Sequence, residues 1–345
     1  MILKYPISIW FINTGTSVYI DIANDHKYFN LVNKPEQADI IVFENDDPAF
    51  IRANPLFKKC PEKCVAVTWG DLPSYFLPGC YSSNSKGILS YGRAQTITYM
   101  RSEREAVNPY VKKADSGYDY LYAFRGGATS WVRKKLFKNK PVHNDVLIED
   151  SNNYNHWSAV DSFLQVKPTL QQEYATLINK SLFFLCPRGA GSGSIRLFEV
   201  MKSGRVPVII SDKWIPIEKF DWDEFSLRIA EKDILNIDNI IRQREPDGEK
   251  MGEKALEVYN NYFAPGPDLA ILADALISIQ NNRSEFKERI IRSVFPLLEN
   301  SRQIKRKGYN LLKFSILKIY SLTGRQFPYS LNRSIEDQLS NKSKN

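Results

Sequence analysis

Cysteine and histidine are scarce in this chain of 345 residues, which contains 4 cysteines and 3 histidines. Cys60 and Cys64 lie close together in sequence, but a structural zinc site needs four ligands and no histidine lies near them. The cysteines are also too few for a fold held together by disulfides. We therefore expect no metal site and free thiols that are mostly buried.

Long apolar runs are missing too, since no stretch reaches the roughly 18 residues of a membrane-spanning helix. The first residues, MILKYPISIWFINTG, are apolar only briefly and have no small-residue cleavage site. A first β-strand is the favoured interpretation of this segment, and a signal peptide is the alternative.

Acidic residues are outnumbered by basic ones, with 39 Asp and Glu against 47 Lys and Arg, which gives a net charge of +8. This excess favours acidic partners such as nucleotide phosphates, anionic glycans or a lipid surface. The sequence contains no RNA-binding aromatic motif, zinc finger or basic arm, so nucleic acid is not an expected partner.

The sequence does contain an alternation of apolar strands and helices in two groups, separated by a charged stretch at residues 101–116. The predicted strands are Ile7–Ile12, Ala38–Phe43 and Lys63–Trp69 in the first group, and Tyr118–Phe124, Asp145–Glu149, Leu182–Cys186 and Val206–Ile210 in the second. This pattern predicts an α/β fold with two Rossmann-like domains that face a cleft. We place the domains at residues 1–115 and 116–300, followed by a basic amphipathic tail at residues 301–345.

The most informative segment, Leu182–Asp212, combines a buried strand, a glycine-rich turn, a helix and a second buried strand. The turn begins at Gly189, and its three glycines allow the backbone to bend sharply and to approach a ligand. Ser194 is placed to cap the helix, and Gly204 is placed to end it. Because free N–H groups and the helix dipole point at the same spot, such a turn is a natural anion site. The segment therefore predicts a pocket for a diphosphate.

Arg196 and Glu199 lie three positions apart on one face of this helix. One interpretation is an exposed ion pair, worth only about 0.2–0.5 kcal/mol. The other gives Arg196 the diphosphate, because a guanidinium binds two oxygens at once, and gives Glu199 the ribose hydroxyls. The flanking residues are apolar, so the pair interrupts a packed helix and the functional interpretation is favoured.

Two further arginines follow predicted strands. Arg188 comes directly before the glycine turn, where a charged residue is seldom only structural, and we expect it to stabilise the phosphates and the leaving group. Arg125 could reach the same diphosphate from the neighbouring loop. Its alternative is a surface arginine paired with Glu149 or Asp150.

Three other residues surround the same predicted helix. Ser211 and Asp212 end the strand after it, and they either contact the base or ribose of a nucleotide or cap the following turn. Cys186 ends the strand before it, and an apolar strand raises the pKa of a thiol, so we expect Cys186 to be a core residue rather than a reactive one.

Three motifs in this half resemble one known family. The first is CPRG followed by a glycine/serine loop, S-x-R-x-x-E and G-x-V-P-V-I-I-S-D, which resembles the core signature of the exostosin-type glycosyltransferases, family 47. Tyr120–Leu136, YLYAFRGGATSWVRKKL, resembles the family's strand and arginine helix, and Trp222–Asp233, WDEFSLRIAEKD, resembles its W-x-x-F-S-V-R-I-x-E-x-D motif. The resemblance covers residues 118–240 approximately.

The resemblance implies the GT-B architecture, with the donor bound mainly by the C-terminal domain. It also implies transfer of a sugar, with inversion, from a nucleotide diphosphate sugar to a glycan acceptor in polysaccharide or glycoconjugate biosynthesis. We expect a UDP-linked donor and no separate cofactor. Animal and plant relatives usually carry an N-terminal membrane anchor and this sequence shows none, which predicts a bacterial-type, cytoplasmic enzyme.

An inverting transfer needs a general base for the acceptor hydroxyl and charge stabilisation for the departing diphosphate. Arginines can supply the second without a metal, and no clear D-x-D metal motif is present. The base should come from the opposing domain, where Asp71, Glu44 and Asp46 follow predicted strands. Acidic residues in loops are usually just solvated, which is the alternative for all three.

Three other functions compete with this one. A fucosyltransferase-like enzyme would use a GDP-sugar, but its related segment usually reads T-E-K where this chain has R-L-F-E. A nucleotide-cofactor oxidoreductase would need G-x-G-x-x-G after its first strand, whereas this turn reads G-A-G-S-G-S and lies near residue 190. A non-catalytic glycan-binding relative stays open because the base is unidentified.

The segment Lys305–Arg325 mixes apolar residues with lysines and arginines. A basic amphipathic helix of this kind can lie on an anionic membrane, which would suit an enzyme at the inner face of a membrane that extends lipid-linked glycans. The favoured alternative is a terminal helix that packs back on the first domain, because its apolar stripe is broad enough for ordinary packing.

Overall fold

A computed structural model describes residues 3–12, 22, 27–99, 108–151, 161–297 and 299. Residues 1–283 form one compact unit, and residues 284–345 form a second. The second unit has a helix at residues 285–297. The predicted basic helix Lys305–Arg325 lies outside the described residues.

The first part of the first unit is a parallel sheet of six short strands. They are β1 (Ile7–Phe11), β2 (Phe29–Leu31), β3 (Ile40–Phe43), β4 (Cys64–Thr68), β5 (Gly79–Tyr81) and β6 (Ala94–Thr96), in the order β2-β1-β3-β4-β5-β6. Two short helices, α1 (Pro48–Ala53) and α2 (Pro55–Lys59), connect β3 to β4. Both begin with proline, whose missing N–H costs nothing in a first turn, and Asp47 and Asn54 cap them through their side chains.

The second part is a parallel sheet of five strands. They are β7 (Tyr120–Gly126), β8 (Val146–Asp150), β9 (Ser181–Pro187), β10 (Val206–Ile210) and β11 (Leu227–Arg228), in the order β11-β10-β9-β7-β8. Every residue of β9 and β10 is buried, as expected for parallel strands covered on both faces. The predicted strands agree with the structure to within about two residues, and the predicted α/β fold with two parallel sheets is confirmed.

Helices cover the second sheet and connect its strands. They are α3 (Trp131–Lys138), α4 (Asp161–Asn179), α5 (Ile195–Ser203), α6 (Ile237–Arg244) and α7 (Gly248–Val258). Gly204 ends α5 with a φ of 74°, a left-handed conformation that glycine adopts without strain. The helix α4 begins at Asp161 and continues through Pro168, which removes one backbone hydrogen bond of the helix.

The helix α8 (Asp268–Asn281) packs against the first sheet rather than the second. Its buried Leu269, Leu272 and Leu276 belong to the same apolar cluster as Ile9 and Val65 of the first sheet. The sequence-based boundaries assigned this helix to the domain at residues 116–300. The described connections of the first sheet contain only short helices, and a long helix from much later in the chain completes its core.

No single helix in the described part of the chain combines the length and the hydropathy of a membrane span. Glu231–Phe263 and Asp268–Asn281 reach both criteria only as a pair, across a bend of 67°.

The order of the strands fixes where a ligand can enter the second sheet. From β7 the chain moves to β8 on one side and then returns to β9 on the other. The connections from β7 and from β9 therefore leave in opposite directions, which opens a crevice beyond the carboxyl ends of these two strands. Arg125 lies near the end of β7 and Arg188 follows β9, so the crevice is framed by residues singled out in the sequence.

Candidate functional site

Arg196 reaches into this crevice from the first turn of α5. Its Nε donates to the hydroxyl of Tyr174 at 2.7 Å, and its Nη2 donates to the backbone carbonyl of Arg125 at 3.1 Å. The guanidinium also lies over the ring of Phe124, 5.0 Å from the centroid. These contacts hold the cation at the end of β7, where the sequence predicts a phosphate.

A second arginine, Arg133 of α3, enters the crevice from the opposite helical layer. Its Nε and Nη2 donate to the carbonyl of Pro187 at 3.3 and 3.2 Å, and its Nη1 donates to the carbonyl of Gly127 at 3.4 Å. Like Arg196, it lies over the ring of Phe124, at 5.8 Å. The two guanidiniums therefore stand above the same aromatic ring.

The electrostatics of this pair favour an anion. Burial lowers the pKa of Arg133 to about 9, and repulsion by Arg196 acts in the same direction, while Tyr174, Asp71 and Cys186 oppose the shift. Burial also acts to lower the pKa of Arg196, but Tyr174, Cys186 and Glu199 outweigh it, so that pKa is raised. Arg133 is therefore the less compensated cation of the pair, and an anionic ligand such as a diphosphate would stabilise its charge.

The glycine turn packs tightly between the two sheets. A Cβ atom on Gly191 would lie 2.6 Å from the carbonyl oxygen of Asp71 and would also collide with Ser83. A Cβ on Gly193 would lie 2.8 Å from both the carbonyl oxygen of Ser82 and the ring of Tyr99. Glycine is therefore required at these positions because the turn touches the first sheet, not only because the chain bends there.

Hydrogen bonds fasten the turn in this position. The hydroxyl of Ser192 donates to the carbonyls of Ser83 and Asn84 at 2.9 and 3.1 Å, and the N–H of Gly193 donates to the hydroxyl of Ser83 at 3.3 Å. Ser211 supports the turn from the other side, since its buried hydroxyl donates to the carbonyl of Ser192 at 2.8 Å. In the structure, the Ser211 hydroxyl therefore stabilises the glycine turn.

Asp71 is the candidate base that the structure brings to the site. It follows β4 and lies beside Gly191, and its carboxylate is within hydrogen-bonding reach of the Tyr99 hydroxyl. Partial burial raises the pKa of Asp71, while Arg133 and the bond from Tyr99 act against that shift. Tyr99 also shares a hydrogen bond with the hydroxyl of Ser83, and burial raises its pKa to about 12.

The other two candidate bases lie in the loop after β3. Asp46 accepts a hydrogen bond from the N–H of Ser74 at 2.6 Å, and burial raises its pKa. Glu44 is half-buried at the end of β3. Their assignment as a base stays a prediction, but the Ser74 contact gives Asp46 a structural role.

Glu199 is almost fully buried, with 4% of its surface exposed, so the interpretation of Arg196 and Glu199 as a solvated surface pair was wrong. Its Oε1 accepts a hydrogen bond from the N–H of Asn108 at 3.2 Å. Burial raises the pKa of Glu199, and the bond from Asn108 and the charge of Arg196 oppose that shift. The predicted ribose contact stays a prediction, and the observed contact joins α5 to the segment that follows the first sheet.

Arg188 is held by Glu231 rather than left open to the crevice. Its Nε and Nη2 donate to the two carboxylate oxygens of Glu231 at 2.8 and 3.5 Å. Glu231 and Asp212 also cap each other, because each accepts the other's backbone N–H, at 3.2 and 2.9 Å. The contacts of Asp212 are thus with Glu231 rather than with the turn that directly follows it, and its nucleotide contact stays a prediction. A phosphate would have to share Arg188 with Glu231.

Arg125 also has acidic partners. Its guanidinium pairs with Glu149 at 2.6 Å and with Glu173 at 3.3 Å, which matches the surface pairing considered as its alternative. Its carbonyl, in contrast, is an anchor for Arg196. The contribution of Arg125 to the crevice in this structure is therefore made by its backbone.

The remaining predicted residues lie where the sequence places them. Ser194 is the N-terminal cap residue of α5, although its side chain makes no capping hydrogen bond among the described contacts. A Cβ atom added to Gly189 would lie 3.4 Å from the side chains of both Arg133 and Thr129. Cys186 is 2% exposed, and burial raises its pKa to about 12, as expected for a core thiol.

Sequence reasoning missed Arg133, Tyr174, Tyr99 and Glu231. A signal for Arg133 was present, because it stands in the first turn of a helix that follows a strand and a glycine pair, at the same kind of edge as Arg196. Glu231 also had a signal, because it stands at the glutamate of the W-x-x-F-S-V-R-I-x-E-x-D motif. The tyrosines had none, since their roles depend on contacts between segments far apart in the chain. Within the described residues, no group of three or more His, Cys, Asp or Glu side chains could hold a metal ion.

The described residues form an α/β protein with two parallel sheets, and a glycine turn and two partly buried arginines lie at the switch point of the second sheet, where α/β proteins commonly bind their ligands. Residues 95–244 match the family model of the Exostosin GT47 domain. The chain therefore carries an exostosin-type GT47 domain, and the resemblance noted in the sequence is confirmed.

Several relatives share part of this domain. The chain is 36% identical over 118 residues to "Exostosin-1 homolog" of Caenorhabditis elegans, covering 33% of this chain and 30% of that protein. It is 30% identical over 133 residues to "Exostosin-1" of Drosophila melanogaster, covering 36% and 18%. It is 41% identical over 70 residues to a probable glucuronoxylan glucuronosyltransferase of Arabidopsis thaliana, covering 20% and 15%. The chain thus spans less than a third of the length of these relatives.

Two solved structures resemble the fold remotely. An alpha1,3-fucosyltransferase gives a TM-score of 0.36 at 13% identity, covering 82% of this chain and 95% of that one. TarM gives a TM-score of 0.32 at 10% identity, covering 62% and 55%. Neither similarity is strong enough to support an inference about function.

Proposed function

We propose that this protein is a glycosyltransferase that takes a sugar from a nucleotide diphosphate sugar and transfers it to a glycan acceptor. The observation that carries the proposal is the pair formed by Arg133 and Arg196, two partly buried cations that donate to backbone carbonyls at the switch point of the second sheet. The GT47 domain at residues 95–244 supports the reaction class. The names of several relatives, among them a glucuronosyltransferase, support it further.

The arginines would supply the electrostatic part of the reaction. As the bond from the sugar to the diphosphate breaks, negative charge grows on the departing phosphate oxygen. Arg133 and Arg196 are already fixed by hydrogen bonds, so they can stabilise that charge without reorganising. This arrangement supports leaving-group stabilisation by guanidiniums, which needs no metal.

Asp71 is the base that we propose for the attacking hydroxyl. It belongs to the first sheet, whereas the arginines belong to the second, so acceptor and donor would approach from opposite sides. Attack from the side opposite the leaving diphosphate inverts the anomeric centre. The acceptor proton would pass to the Asp71 carboxylate, whose raised pKa makes it a stronger base than an ordinary aspartate.

The finer identity of the substrates is also part of the proposal. We favour a UDP-linked donor and a role in polysaccharide or glycoconjugate biosynthesis, with a GDP-linked, fucosyltransferase-like donor as the alternative. A cytoplasmic enzyme that contacts the inner face of a membrane through Lys305–Arg325 would suit a lipid-linked acceptor.

Ligand-observed NMR of the purified protein with UDP, GDP, CMP and NAD tests the donor site. Methionine keeps the apolar stem of an arginine and removes its guanidinium, so the variants are Arg133→Met and Arg196→Met. Because a charge-assisted hydrogen bond is worth about 1.5–3 kcal/mol, each variant should weaken binding of the preferred nucleotide roughly 10- to 100-fold. Arg242→Met is the matched control, since Arg242 is held by Asp145 and Asp238 away from the crevice.

Two results would overturn the proposal. The first is that the folded wild-type protein binds none of the nucleotides. The second is that the two crevice variants bind as well as the Arg242→Met control. Binding of UDP without hydrolysis or transfer from any UDP-sugar would instead favour a non-catalytic glycan-binding relative.

A further inference from the structure

Trp131 is a large aromatic residue at the start of α3 that the core of the second sheet does not use. Its neighbours Val132 and Leu136 are fully buried in that core, whereas 51% of Trp131 is exposed. An exposed tryptophan loses the free energy of burial that the same side chain would gain elsewhere. Because Trp131 lies next to a candidate ligand site, we expect a molecule outside the chain to cover its exposed ring.

The ring of Trp131 faces a fixed neighbour, the guanidinium of Arg188, 5.8 Å from the ring centroid. Arg188 is itself held by Glu231, whose side chain is largely buried. The backbone is fixed as well, because Ser130 caps α3 through the Arg133 N–H and donates its hydroxyl to the carbonyl of Arg188 at 2.9 Å. Trp131, Arg188 and Glu231 thus form a preorganised surface, which we call the Trp131 platform.

The platform adjoins the crevice on the side where the base stands. Arg188 comes directly before Gly189, the first residue of the glycine turn, and that turn touches Asp71 at Gly191. On the other side of the turn, Leu72 follows Asp71 and is 79% exposed. Exposed apolar side chains therefore occur in the segments that follow strands of both sheets, with Leu72 after β4 and Trp131 after β7.

We propose that the Trp131 platform is a subsite for a pyranose ring of the acceptor glycan. The inference rests on the proposed glycosyltransferase function and names the residues that would hold its acceptor. A pyranose presents a flat apolar face of C–H groups, which matches an indole, and a rim of hydroxyl groups, which matches the charged edge formed by Arg188 and Glu231.

The geometry gives each part of the platform a separate task. Arg188 donates two hydrogen bonds to Glu231 and one to the carbonyl of Gly189, and a guanidinium has five N–H donors, so two remain for sugar hydroxyls. The indole would orient the sugar, so that its reacting hydroxyl reaches the Asp71 carboxylate. The platform would then determine which acceptor is used and would leave nucleotide affinity unchanged.

Saturation-transfer NMR with small sugars tests the subsite without relying on turnover. The probes are the methyl β-glycosides of glucose, galactose, xylose, N-acetylglucosamine and glucuronic acid, together with cellobiose, lactose and xylobiose, each added to the UDP-saturated protein. Trp131→Ala should weaken binding of the preferred sugar roughly tenfold, and Trp131→Phe should retain most of it. Tyr91→Ala is the control for loss of an exposed aromatic ring, since Tyr91 is 79% exposed in the first sheet's half.

UDP affinity, measured in the same samples, separates this inference from the proposed function. Unchanged UDP binding with loss of sugar binding in Trp131→Ala alone supports the subsite. If Trp131→Ala weakens UDP instead, the ring stacks on the nucleobase and the acceptor subsite is wrong. Equal sugar binding by Trp131→Ala and wild type, or no sugar binding by a wild-type protein that binds UDP, also overturns the subsite and leaves the donor site standing.

Discussion

The two sheets of the first unit are both parallel, yet the residues beyond their strands carry opposite chemistry. Beyond β7 and β9 stand the guanidiniums of Arg133 and Arg196, whereas beyond β4 and β6 stand the carboxylate of Asp71 and the hydroxyl of Tyr99. A departing diphosphate needs cations, and an attacking hydroxyl needs a base. Under the proposed function, the reaction would be divided between the two halves, with the cations on the second sheet and the base on the first.

The two sheets also differ in how they are stabilised. The second sheet includes two seven-residue strands, β7 and β9, and is covered by its own helices, whereas the first has strands of three to five residues and takes α8 from later in the chain. The second sheet, where we propose that the donor binds, is encoded in one continuous stretch, and all its strands lie within the residues that match the GT47 domain. The first sheet, which we propose to be the acceptor side, depends on distant segments and retains less of a recognisable pattern.

Removing the carboxylate of the first sheet should have the largest effect. Asp71→Asn keeps the shape of the side chain and its contact with Tyr99 but removes the base, so kcat should fall about 10²- to 10⁴-fold. UDP binding should stay near the wild-type value, because the arginines are untouched. Initial rates at saturating UDP-sugar, with UDP titrations by NMR, give both quantities.

The two other candidate bases provide the comparison for that experiment. Asp46→Asn and Glu44→Gln are expected to change kcat much less. Asp46 already accepts a hydrogen bond from Ser74, and both residues follow β3. Asp71, in contrast, follows β4 and contacts the glycine turn. If one of these variants lost as much activity as Asp71→Asn, or if Asp71→Asn were as active as wild type, the assignment of Asp71 as the base would be wrong.

A smaller loss of activity is expected when a methyl group is added to the glycine turn at its contact with the first sheet. In Gly191→Ala the added carbon would stand 2.6 Å from the carbonyl oxygen of Asp71, so the turn and the first sheet must move apart. Overpacking of this kind costs about 1–3 kcal/mol of unfolding free energy. Turnover should fall less than in Asp71→Asn, because the base and both arginines are still present.

Thermal unfolding and kcat/KM, measured together, check the expectation for Gly191→Ala. Gly87→Ala is the control, since an added Cβ there has its nearest neighbour at 3.9 Å and a negative φ does not strain it. Equal stability and activity in the two variants would show that the turn does not need close contact with the first sheet.

Local signals were enough to predict most of the second sheet. Apolar runs located β9 and β10, and Gly204 marked the end of α5 because only a left-handed residue fits there. The glycine turn and Arg196 marked the crevice, because an arginine in the first turn of a helix has little reason to be buried without a ligand or a partner. These features depend on neighbours within about ten residues, which one sequence displays directly.

Pairings between distant segments could not be predicted in the same way. Glu231 follows Arg188 by 43 positions, and no pattern in the sequence joins the two until β10 and β11 bring them together. The burial of Glu199 depends on Asn108, which is 91 positions away, and the place of α8 depends on which sheet lacks a long helix. In each case tertiary contacts decide the role, so the sequence allowed several alternatives.

The smallest effect concerns the hydrogen bond that tunes the base. The bond from the Tyr99 hydroxyl lowers the pKa of Asp71, against the larger shift upward from burial. In Tyr99→Phe this bond is lost while the ring that faces Gly193 stays, so the pKa of Asp71 should rise further. The base works only when it is deprotonated, so activity is lost as the pH falls through that pKa. The acid limb of the profile of kcat against pH should therefore move to higher pH, with little change in the plateau.

A purely structural role for Tyr99 would lower kcat by the same factor at every pH and leave the limb in place. Tyr81→Phe serves as the control, because its buried hydroxyl donates to the carbonyl of Leu77 at 2.7 Å in the same sheet without contacting Asp71. A limb that moves in Tyr99→Phe and stays in Tyr81→Phe would show that the first sheet sets the basicity of Asp71. A limb that stays in both would leave Asp71 as a base tuned by burial and by Arg133, and so by the second sheet as much as by the first.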